Sequence, residues 1–154
     1  MARLSHADSE GNPQMVDVSQ KPATTRRAIA EAFVRLTDEH LKAMDSLPKG
    51  DALAVAKIAG ISAAKKTYDL IPLCHPLPLT FVGVEIERTE GGLKITGEAK
   101  TDAPTGVEVE ALMAVTVAAL TIYDMVKAIG QEITIEGVRL VEKTGGKSDW
   151  KRNP

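Results

Sequence analysis

Residues 80–101 read TFVGVEIERTEGGLKITGEAKT, and this stretch indicates the fold more directly than any other part of the chain. Apolar and polar residues alternate over 80–88 and again over 93–101, which is typical of strands with one buried face. Glu90, Gly91 and Gly92 lie between them and provide a tight turn. The stretch therefore predicts an antiparallel β-hairpin. The side chains predicted to point inward are Val82, Val84, Ile86, Leu93, Ile95 and Ala99.

The segment after the hairpin predicts the longest helix of the chain, over residues 104–130. Pro104 suits a helix start and Gly130 a helix stop. The helix is apolar on several sides, which is typical of a helix buried between other elements or at a subunit interface. Residues 133–142 are predicted as a further strand, broken near Gly137.

Two helices are predicted before the hairpin. Residues 24–44 have apolar side chains at roughly helical spacing, which predicts an amphipathic helix. Asp51 is a suitable N-cap for a second helix that continues to about Thr67. The side chains predicted to lie on the buried side of this second helix are Leu53, Ala54, Ile58 and Ile61.

The predicted order of elements is helix, helix, β-hairpin, long helix and strand. This order indicates an α+β fold with helices packed on one face of a mostly antiparallel sheet, for which a ferredoxin-like sandwich fits. The 154 residues suit a single domain over 1–154. Residues 1–14 are polar and are predicted as a flexible N-terminal arm, and 149–154 as a polar tail.

Composition excludes several classes of protein. The formal net charge of −2 argues against general nucleic-acid binding, which usually needs a basic face. Cys74 is the single cysteine of the chain, so an intrachain disulfide cannot form. We find neither a signal-like apolar run nor a stretch of about 18 uncharged apolar residues. The expected protein is therefore cytoplasmic, with no membrane partner.

The segment Asp69–Pro78, DLIPLCHPLP, is the first candidate for chemistry. Its three prolines stiffen the backbone around Cys74 and His75, and a rigid loop can aim an imidazole. A proline-rich connector with an incidental histidine is the alternative. One cysteine and one histidine lack the further ligands that a zinc site requires. A lone cysteine is also more often a small buried apolar group than a nucleophile.

The long helix carries the second candidate. Asp124 lies within an apolar stretch, and Lys127, three residues later, can pair with it. Glu110 precedes Asp124 by 14 residues, nearly four turns, so the two should point roughly the same way. A buried carboxylate beside a lysine should have a perturbed pKa, as proton transfer requires. A buried structural ion pair is the alternative.

A third candidate is the glycine-containing stretch Lys143-Thr-Gly-Gly-Lys147. Two glycines allow backbone N–H groups to approach an anion, and lysines flank them. It lacks the spacing of a Walker A motif and is a weak signal by itself. Arg26 and Lys49, taken singly, suit solvated surface positions.

Several segments together resemble the molybdenum cofactor biosynthesis protein C family, the cyclic pyranopterin monophosphate synthases. The resemblance covers almost the whole chain, from about Leu4 to Trp150. The segments that carry it are MVDVS at 15–19, KGD at 49–51, AGI at 59–61, AAKKT at 63–67, DLIPLCHPL at 69–77, TGVEVEAL at 105–112, VAALTIYDM at 117–125 and KTGGKS at 143–148.

The resemblance implies a ferredoxin-like fold and dimers that assemble into a hexamer, with the active site at a dimer interface. It implies a small-molecule substrate, a cyclised dihydro-GTP made by an upstream radical enzyme. The implied product is cyclic pyranopterin monophosphate, formed with release of pyrophosphate. No redox cofactor and no protein-bound metal are expected, although magnesium can accompany the substrate phosphates.

The resemblance also implies roles for individual residues. Catalytic roles are implied for Asp124 with Lys127, for Lys49 and for His75. Glu110 is expected to hold the guanine-derived ring, and Asp124 with Lys127 to transfer protons. The positions implied to bind substrate are Leu73, Cys74, His75, Glu108, Val109, Glu110, Arg26, Lys143 and Lys147.

Two other functions remain open at this point. A non-catalytic nucleotide-binding subunit that assists the upstream radical enzyme would explain the phosphate-binding residues. A metal-dependent hydrolase that uses Cys74, His75 and Glu110 is the other alternative.

Overall fold

The computed structural model describes residues 6–154 and has helices on one face of a five-stranded sheet. The sheet order is β2-β3-β1-β4-β5, and each neighbouring pair is antiparallel. This is the α+β arrangement predicted from the sequence and is consistent with a ferredoxin-like sandwich. The strands are β1 (Thr24–Arg35), β2 (Leu79–Thr89), β3 (Gly92–Ala103), β4 (Thr134–Thr144) and β5 (Trp150–Lys151), and the helices are α1 (Asp38–Ala43), α2 (Ala52–Ala64), α3 (Thr67–Leu70) and α4 (Glu108–Val126).

The hairpin prediction is confirmed. Thr89 pairs with Gly92 across a turn made by Glu90 and Gly91, and Gly91 has a positive φ of 77°. A Cβ at Gly92 would lie 2.0 Å from the carbonyl oxygen of Val34, so only glycine allows β1 to approach this closely. Val84, Leu93, Ile95 and Ala99 are buried, and Val82 and Ile86 pack against the core.

The predicted helix over 24–44 is wrong for its first half, because residues 24–35 form the central strand β1. Ala28, Ala30, Ala32 and Val34 are buried at alternate positions, which is the period of a strand. The intervening residues are also largely apolar, so the segment satisfies helical spacing as well. Hydrogen bonding to β3 on one side and to β4 on the other decides between the two. Only residues 38–43 become helical, after the N-cap Thr37.

Helix α2 begins as predicted, and of its predicted buried residues Leu53 and Ile61 pack against the core. Asp51 accepts hydrogen bonds from the backbone N–H groups of Leu53 and Ala54, at 2.9 and 3.1 Å. The helix ends at Ala64, before the predicted Thr67. Its buried residues are Ala52, Ala56, Gly60, Ala63 and Ala64, whereas Ile58 and Ala54 of the predicted buried set are exposed.

The small buried face of α2 allows it to pack closely on α4. A Cβ at Gly60 would lie 2.6 Å from the carbonyl oxygen of Ala114 in α4. Small residues continue along α4, where Ala111, Ala114 and Ala118 are fully buried. The α2–α4 packing therefore depends on alanine and glycine at the contact rather than on the large residues expected there.

Helix α4 is the core of the molecule. By length and composition it could cross a membrane, but it lies between the sheet and α2, as a core helix does. It starts at Glu108 rather than at the predicted Pro104 and ends at Val126, before the predicted Gly130. Residues 104–107 instead form a turn that leads from β3 into the helix.

The C-terminal strands complete the sheet. The β1–β4 register shifts beside Gly137, which has a φ of 63°, so the predicted break in this strand is confirmed as a bulge. Trp150 and Lys151 pair with β4 as β5, so the predicted polar tail is partly a strand. This pairing folds residues 145–149 back beside the beginning of β1.

Candidate functional site

Two adjoining cavities lie at the N-terminal end of α4. The larger, which we call the basic groove, has a volume of about 410 Å³ and is bounded by the beginning of β1, the 104–107 turn and the loop 143–148. The smaller, the inner chamber, measures about 210 Å³ and lies on the other side of the 104–107 turn. Thr105, Gly106 and Glu108 contact both cavities and form their common wall.

Arg26 is held in place at the floor of the basic groove by backbone carbonyls. Its Nε donates to the carbonyl oxygen of Ala103 at 2.9 Å, and Nη2 donates to that of Pro104 at 3.1 Å. Because neither partner carries a formal charge, the guanidinium charge stays available to an anion. Lys21, Lys143 and Lys147 add further positive charge to the same groove.

The Lys143–Lys147 loop is a tight turn against β1. Gly145 has a φ of 87°, and a Cβ there would lie 1.9 Å from the carbonyl oxygen of Thr25. Thr24 Oγ1 donates to the carbonyl oxygen of Gly145 at 2.7 Å, and Asp149 accepts from the Gly145 N–H at 3.0 Å. Glycine is therefore required at this position for the loop to reach the groove.

Glu108 links the groove to the start of α4. Lys143 Nζ donates to Glu108 Oε1 at 2.9 Å. The Glu108 carboxylate folds back over Gly106, where a Cβ would lie 1.9 Å from Oε2. The wall between the two cavities thus combines a glycine turn, a helix N-terminus and one ion pair.

Glu110 provides the buried carboxyl group of the inner chamber. Its exposed fraction is only 4%. Burial, with a smaller contribution from the charge of Glu108, raises the pKa of Glu110 from 4.5 to about 7. The group therefore has both its protonated and its ionised form populated near neutral pH.

Cys74 and His75 enter the same chamber from the predicted Asp69–Pro78 loop. The imidazole Nε2 of His75 lies 2.7 Å from the carbonyl oxygen of Val16. A carbonyl can only accept, so Nε2 donates and the ring orientation is fixed. Burial and the charge of Glu110 raise the pKa of the Cys74 thiol, which keeps it protonated and makes it a poor nucleophile.

A second cluster lies at the opposite end of α4. Lys127 Nζ lies 2.7 Å from Asp124 Oδ1, and Lys49 Nζ lies 3.9 Å from Oδ2. Lys49 also donates to the backbone carbonyl of Asp124 at 3.2 Å. The hydrogen bond and charge of Lys127, followed by the charge of Lys49, lower the pKa of Asp124.

The expectation that Asp124 is buried is wrong. Its side chain is 58% exposed, and those of Lys49 and Lys127 are about as accessible. The flanking residues Ile122, Met125 and Val126 are buried, so the apolar stretch packs inward and leaves Asp124 on the outer side of the helix. Sequence context alone could not show which side of this turn meets the core.

The structure therefore divides the predicted site residues into two groups. Fourteen residues of helix at ~1.5 Å per residue separate Glu110 from Asp124 by ~21 Å along the axis. Leu73 contacts neither cavity, although it adjoins Cys74. The residues brought together at the N-terminal end are Cys74, His75, Glu108, Val109, Glu110, Arg26, Lys143 and Lys147, and those at the C-terminal end are Lys49, Asp124 and Lys127.

Several residues that contact the cavities were not predicted from the sequence as site residues, among them Thr105, Gly106, Lys21 and His6. Thr105 and Gly106 were assigned to the interior of a helix that in fact begins later, which concealed the turn. Lys21 and His6 lie in the N-terminal part of the chain, where irregular spacing gives no local signal. The Thr-Gly pair directly after Pro104 is the one signal that could have indicated a turn.

Residues 6–154 contain no group of side chains arranged to bind a metal ion. Within that range no three or more His, Cys, Asp and Glu side chains are placed to hold a metal ion together. Cys74, His75 and Glu110 share the inner chamber but do not form such a group. The basic groove as a whole suits an anionic ligand, and the inner chamber offers a carboxyl group, an imidazole and a thiol to a polar one.

Comparison with known proteins gives a consistent result. Residues 15–146 match the sequence profile of the MoaC family. The cyclic pyranopterin monophosphate synthase of Corynebacterium efficiens is 52% identical over 153 residues, which cover 97% of this chain and 99% of that protein. The protein of the same name from a Nostoc species is 55% identical over 151 residues, which cover 96% of this chain and 90% of that protein.

Proposed function

The chain belongs to the MoaC family, and from this we propose that it is a cyclic pyranopterin monophosphate synthase. It is an enzyme of molybdenum cofactor biosynthesis, a lyase that converts cyclised dihydro-GTP into cyclic pyranopterin monophosphate and releases pyrophosphate. One structural observation carries the proposal beyond the family name. The basic groove and the inner chamber adjoin at Thr105, Gly106 and Glu108, and we infer that they receive the polyphosphate and the heterocycle of one ligand.

The basic groove binds the triphosphate in this proposal. Arg26 offers a guanidinium that backbone carbonyls already orient, and Lys143 and Lys147 extend from the glycine turn. Planar guanidinium groups suit phosphate oxygens, and lysines supply point charges. The Lys143–Glu108 ion pair must loosen as the anion arrives, since the lysine then has a second acceptor.

The inner chamber binds the guanine-derived ring. When ionised, Glu110 accepts hydrogen bonds from ring N–H groups, and when protonated it can donate one. Its pKa of about 7 makes either form accessible without a large free-energy cost. His75, with Nε2 committed to Val16, presents its remaining ring nitrogen, and the backbone of Leu73, Cys74 and Val109 completes the contact surface.

The catalytic cluster comes from a second subunit. Asp124 and Lys127 lie too far along α4 to reach a ring bound at Glu110 of the same chain, Lys49 lies beside Asp124, and all three are exposed. We therefore infer a homo-oligomer in which the C-terminal end of one α4 meets the N-terminal end of another. Dimers with such an interface, assembled into a hexamer, agree with the family resemblance.

Proton transfer is the task of that cluster. The lowered pKa of Asp124 keeps it ionised, so it can accept the proton, and Asp124 in turn raises the pKa of Lys127, which stays protonated and can hydrogen-bond the negative charge that develops on the substrate. A substrate hydroxyl attacks the α-phosphorus, its proton passes to the base, and pyrophosphate leaves. Lys49 stabilises charge on the reacting phosphate or donates a proton during ring rearrangement.

The reaction requires no redox cofactor, and magnesium enters with the triphosphate rather than through a protein ligand set. The enzyme acts in the cytoplasm, directly after the radical enzyme that makes its substrate. Activity that survives chelation would also set aside the metal-dependent hydrolase.

Incubation of the purified protein with cyclised dihydro-GTP tests the function. We expect pyrophosphate and cyclic pyranopterin monophosphate to form in equal amounts. Tight substrate binding without either product would instead identify the non-catalytic accessory subunit. A chain in which Asp124 is replaced by Asn serves as the matched control for contaminating activity.

Co-expression of two inactive variants tests the two-subunit site. Glu110→Gln and Asp124→Asn each damage one end of α4, and random mixing in a dimer would leave about one quarter of the sites intact. Recovered activity of that order is expected. Co-expression of Asp124→Asn with Lys127→Ala, which damage the same end, should recover none. Equal failure of both mixtures would place the whole site in one chain.

A further inference from the structure

Residues 6–14 of the predicted flexible arm form a hydrogen-bonded turn beside the inner chamber, and residues 1–5 of that arm lie outside the described residues. Asp8 organises residues 6–14, because its carboxylate accepts from the backbone N–H groups of Glu10 and Asn12 and from the Asn12 side chain. These hydrogen bonds lower the pKa of Asp8, so the turn keeps its charge over the ordinary pH range. The carbonyl oxygen of His6 closes the turn by accepting from the N–H of Gln14 at 3.0 Å.

The turn delivers a second imidazole to the chamber. His6 lines the same cavity as Cys74, His75 and Glu110, and its side chain is exposed rather than packed in the core. Further along the arm, Val16 accepts the hydrogen bond from His75 Nε2. The segment from His6 to Val16 therefore reaches the chamber at two points: the Val16 carbonyl holds His75, and the His6 side chain lines the cavity itself.

We propose that His6 is a further substrate-contacting residue, which the Asp8 turn brings to the inner chamber to hydrogen-bond the guanine-derived ring. This inference rests on the proposed function for the identity of the ring. An imidazole both donates and accepts, so it matches the alternating N–H and C=O groups of a guanine-like edge. It complements Glu110, which in its ionised form only accepts.

The His6 side chain has neither of the usual structural roles in this turn. Its ring does not close the turn, since the backbone carbonyl and Asp8 do that. It does not fill the core, since it is exposed. A ring that contacts only the ligand should therefore affect binding without affecting folding.

Four variants test the proposal: His6→Ala, His6→Gln, Asp8→Ala and the control Glu10→Ala, which changes an exposed side chain of the same turn. Each is measured for substrate affinity, for kcat and KM and for melting temperature. We expect His6→Ala to weaken substrate binding about tenfold through the loss of its hydrogen bond. His6→Gln should recover part of that loss. Asp8→Ala should weaken binding less, since it loosens the turn but keeps the ring, and Glu10→Ala should match the wild type.

Inorganic tripolyphosphate is the second probe. Because it fills only the basic groove, its affinity should be unchanged in His6→Ala and lower in Lys143→Ala. Substrate affinity of His6→Ala within about twofold of wild type would overturn the proposal, even if the wild type turns over normally. A wild type that binds substrate but forms no product would overturn the proposed function alone, because the binding comparison still decides the role of His6.

Discussion

The two ends of helix α4 carry carboxylates in opposite environments. Glu110, in the first turn, is buried, and burial raises its pKa to about 7. Asp124, in the last turns, is exposed, and Lys127 with Lys49 lowers its pKa. The same helix thus carries Glu110, which is partly protonated near neutral pH, and Asp124, which stays ionised. Burial at one end and neighbouring lysines at the other therefore shift the pKa values of the two carboxylates in opposite directions.

The difference also concerns what each end still lacks. The N-terminal end already has a cavity, a wall and hydrogen bonds that orient Arg26 and His75. The C-terminal end has reactive groups but no enclosure, since all three of its side chains are about half exposed. Exclusion of water strengthens electrostatic interactions in an active site. A second subunit laid over Asp124 would supply this exclusion, as the proposed two-subunit site requires.

Replacement of Asp124 by Asn should have the largest effect. Loss of a positioned acid–base group typically costs ~10²–10⁴-fold in rate, and pyrophosphate release should fall by that order. Substrate affinity and melting temperature should change little, because the ion pair with Lys127 is solvent-exposed. Rate, affinity and thermal melting on one preparation would measure all three.

Asp45→Ala is the matched control for that experiment. Asp45 is an exposed carboxylate that also forms an ion pair, but with Arg88 rather than with Lys49 or Lys127, and it lines neither cavity. Its turnover should equal that of the wild type. Near-normal turnover of Asp124→Asn would remove the C-terminal cluster from catalysis and leave the N-terminal end as the whole site.

Glu110→Gln should alter the pH dependence of stability. The folded chain holds a proton on Glu110 that the unfolded chain has already released, between about pH 4.5 and about pH 7. Stability therefore falls as the pH rises through this range, by roughly 1–3 kcal/mol, and then levels off. The Gln variant lacks this contribution, so it should be more stable than the wild type above pH 7.

Urea unfolding at a series of pH values measures the slope. Glu87→Gln changes an exposed glutamate of β2 and should retain the wild-type pH dependence. If Glu110→Gln retained it as well, Glu110 would be ionised throughout the range. Glu110 and Asp124 would then differ in their exposure to solvent but not in their ionisation.

The hairpin could be predicted because the alternation of apolar and polar residues and the Glu-Gly-Gly turn both indicate it. No contact with distant parts of the chain is needed to recognise it. Prediction from the sequence failed at β1 because apolar residues occupy nearly every position from 28 to 34 and satisfy both periods. The Cys74–His75 loop could be predicted from local stiffness. The exposure of Asp124 could not, since it depends on which side of α4 the sheet and α2 cover. The family resemblance indicated the site residues, but only the structure shows that they lie in two groups, one at each end of α4.

Lys143→Ala should have a moderate effect, confined to the N-terminal end. It removes one phosphate contact from the basic groove and leaves Glu108 without its partner, so triphosphate affinity should fall about tenfold at low salt. The loss should shrink at higher ionic strength, because the groove is open to solvent. Titration calorimetry at two salt concentrations measures both. Lys151→Ala changes a lysine outside the groove and should bind normally, and an equal loss there would indicate a nonspecific charge effect.

Cys74→Ala should have the smallest effect, although the side chain lies in the inner chamber. Burial and the charge of Glu110 raise the thiol pKa, so Cys74 is protonated and supplies its backbone rather than a nucleophile. Turnover should therefore stay close to that of the wild type, and alkylation of the thiol at neutral pH should be slow. In Glu110→Gln the thiol should react faster at alkaline pH, because one cause of its raised pKa is gone. A large loss of turnover in Cys74→Ala would instead require an ionised thiol beside Glu110, and the assignment of the ring to that end of α4 would have to be revised.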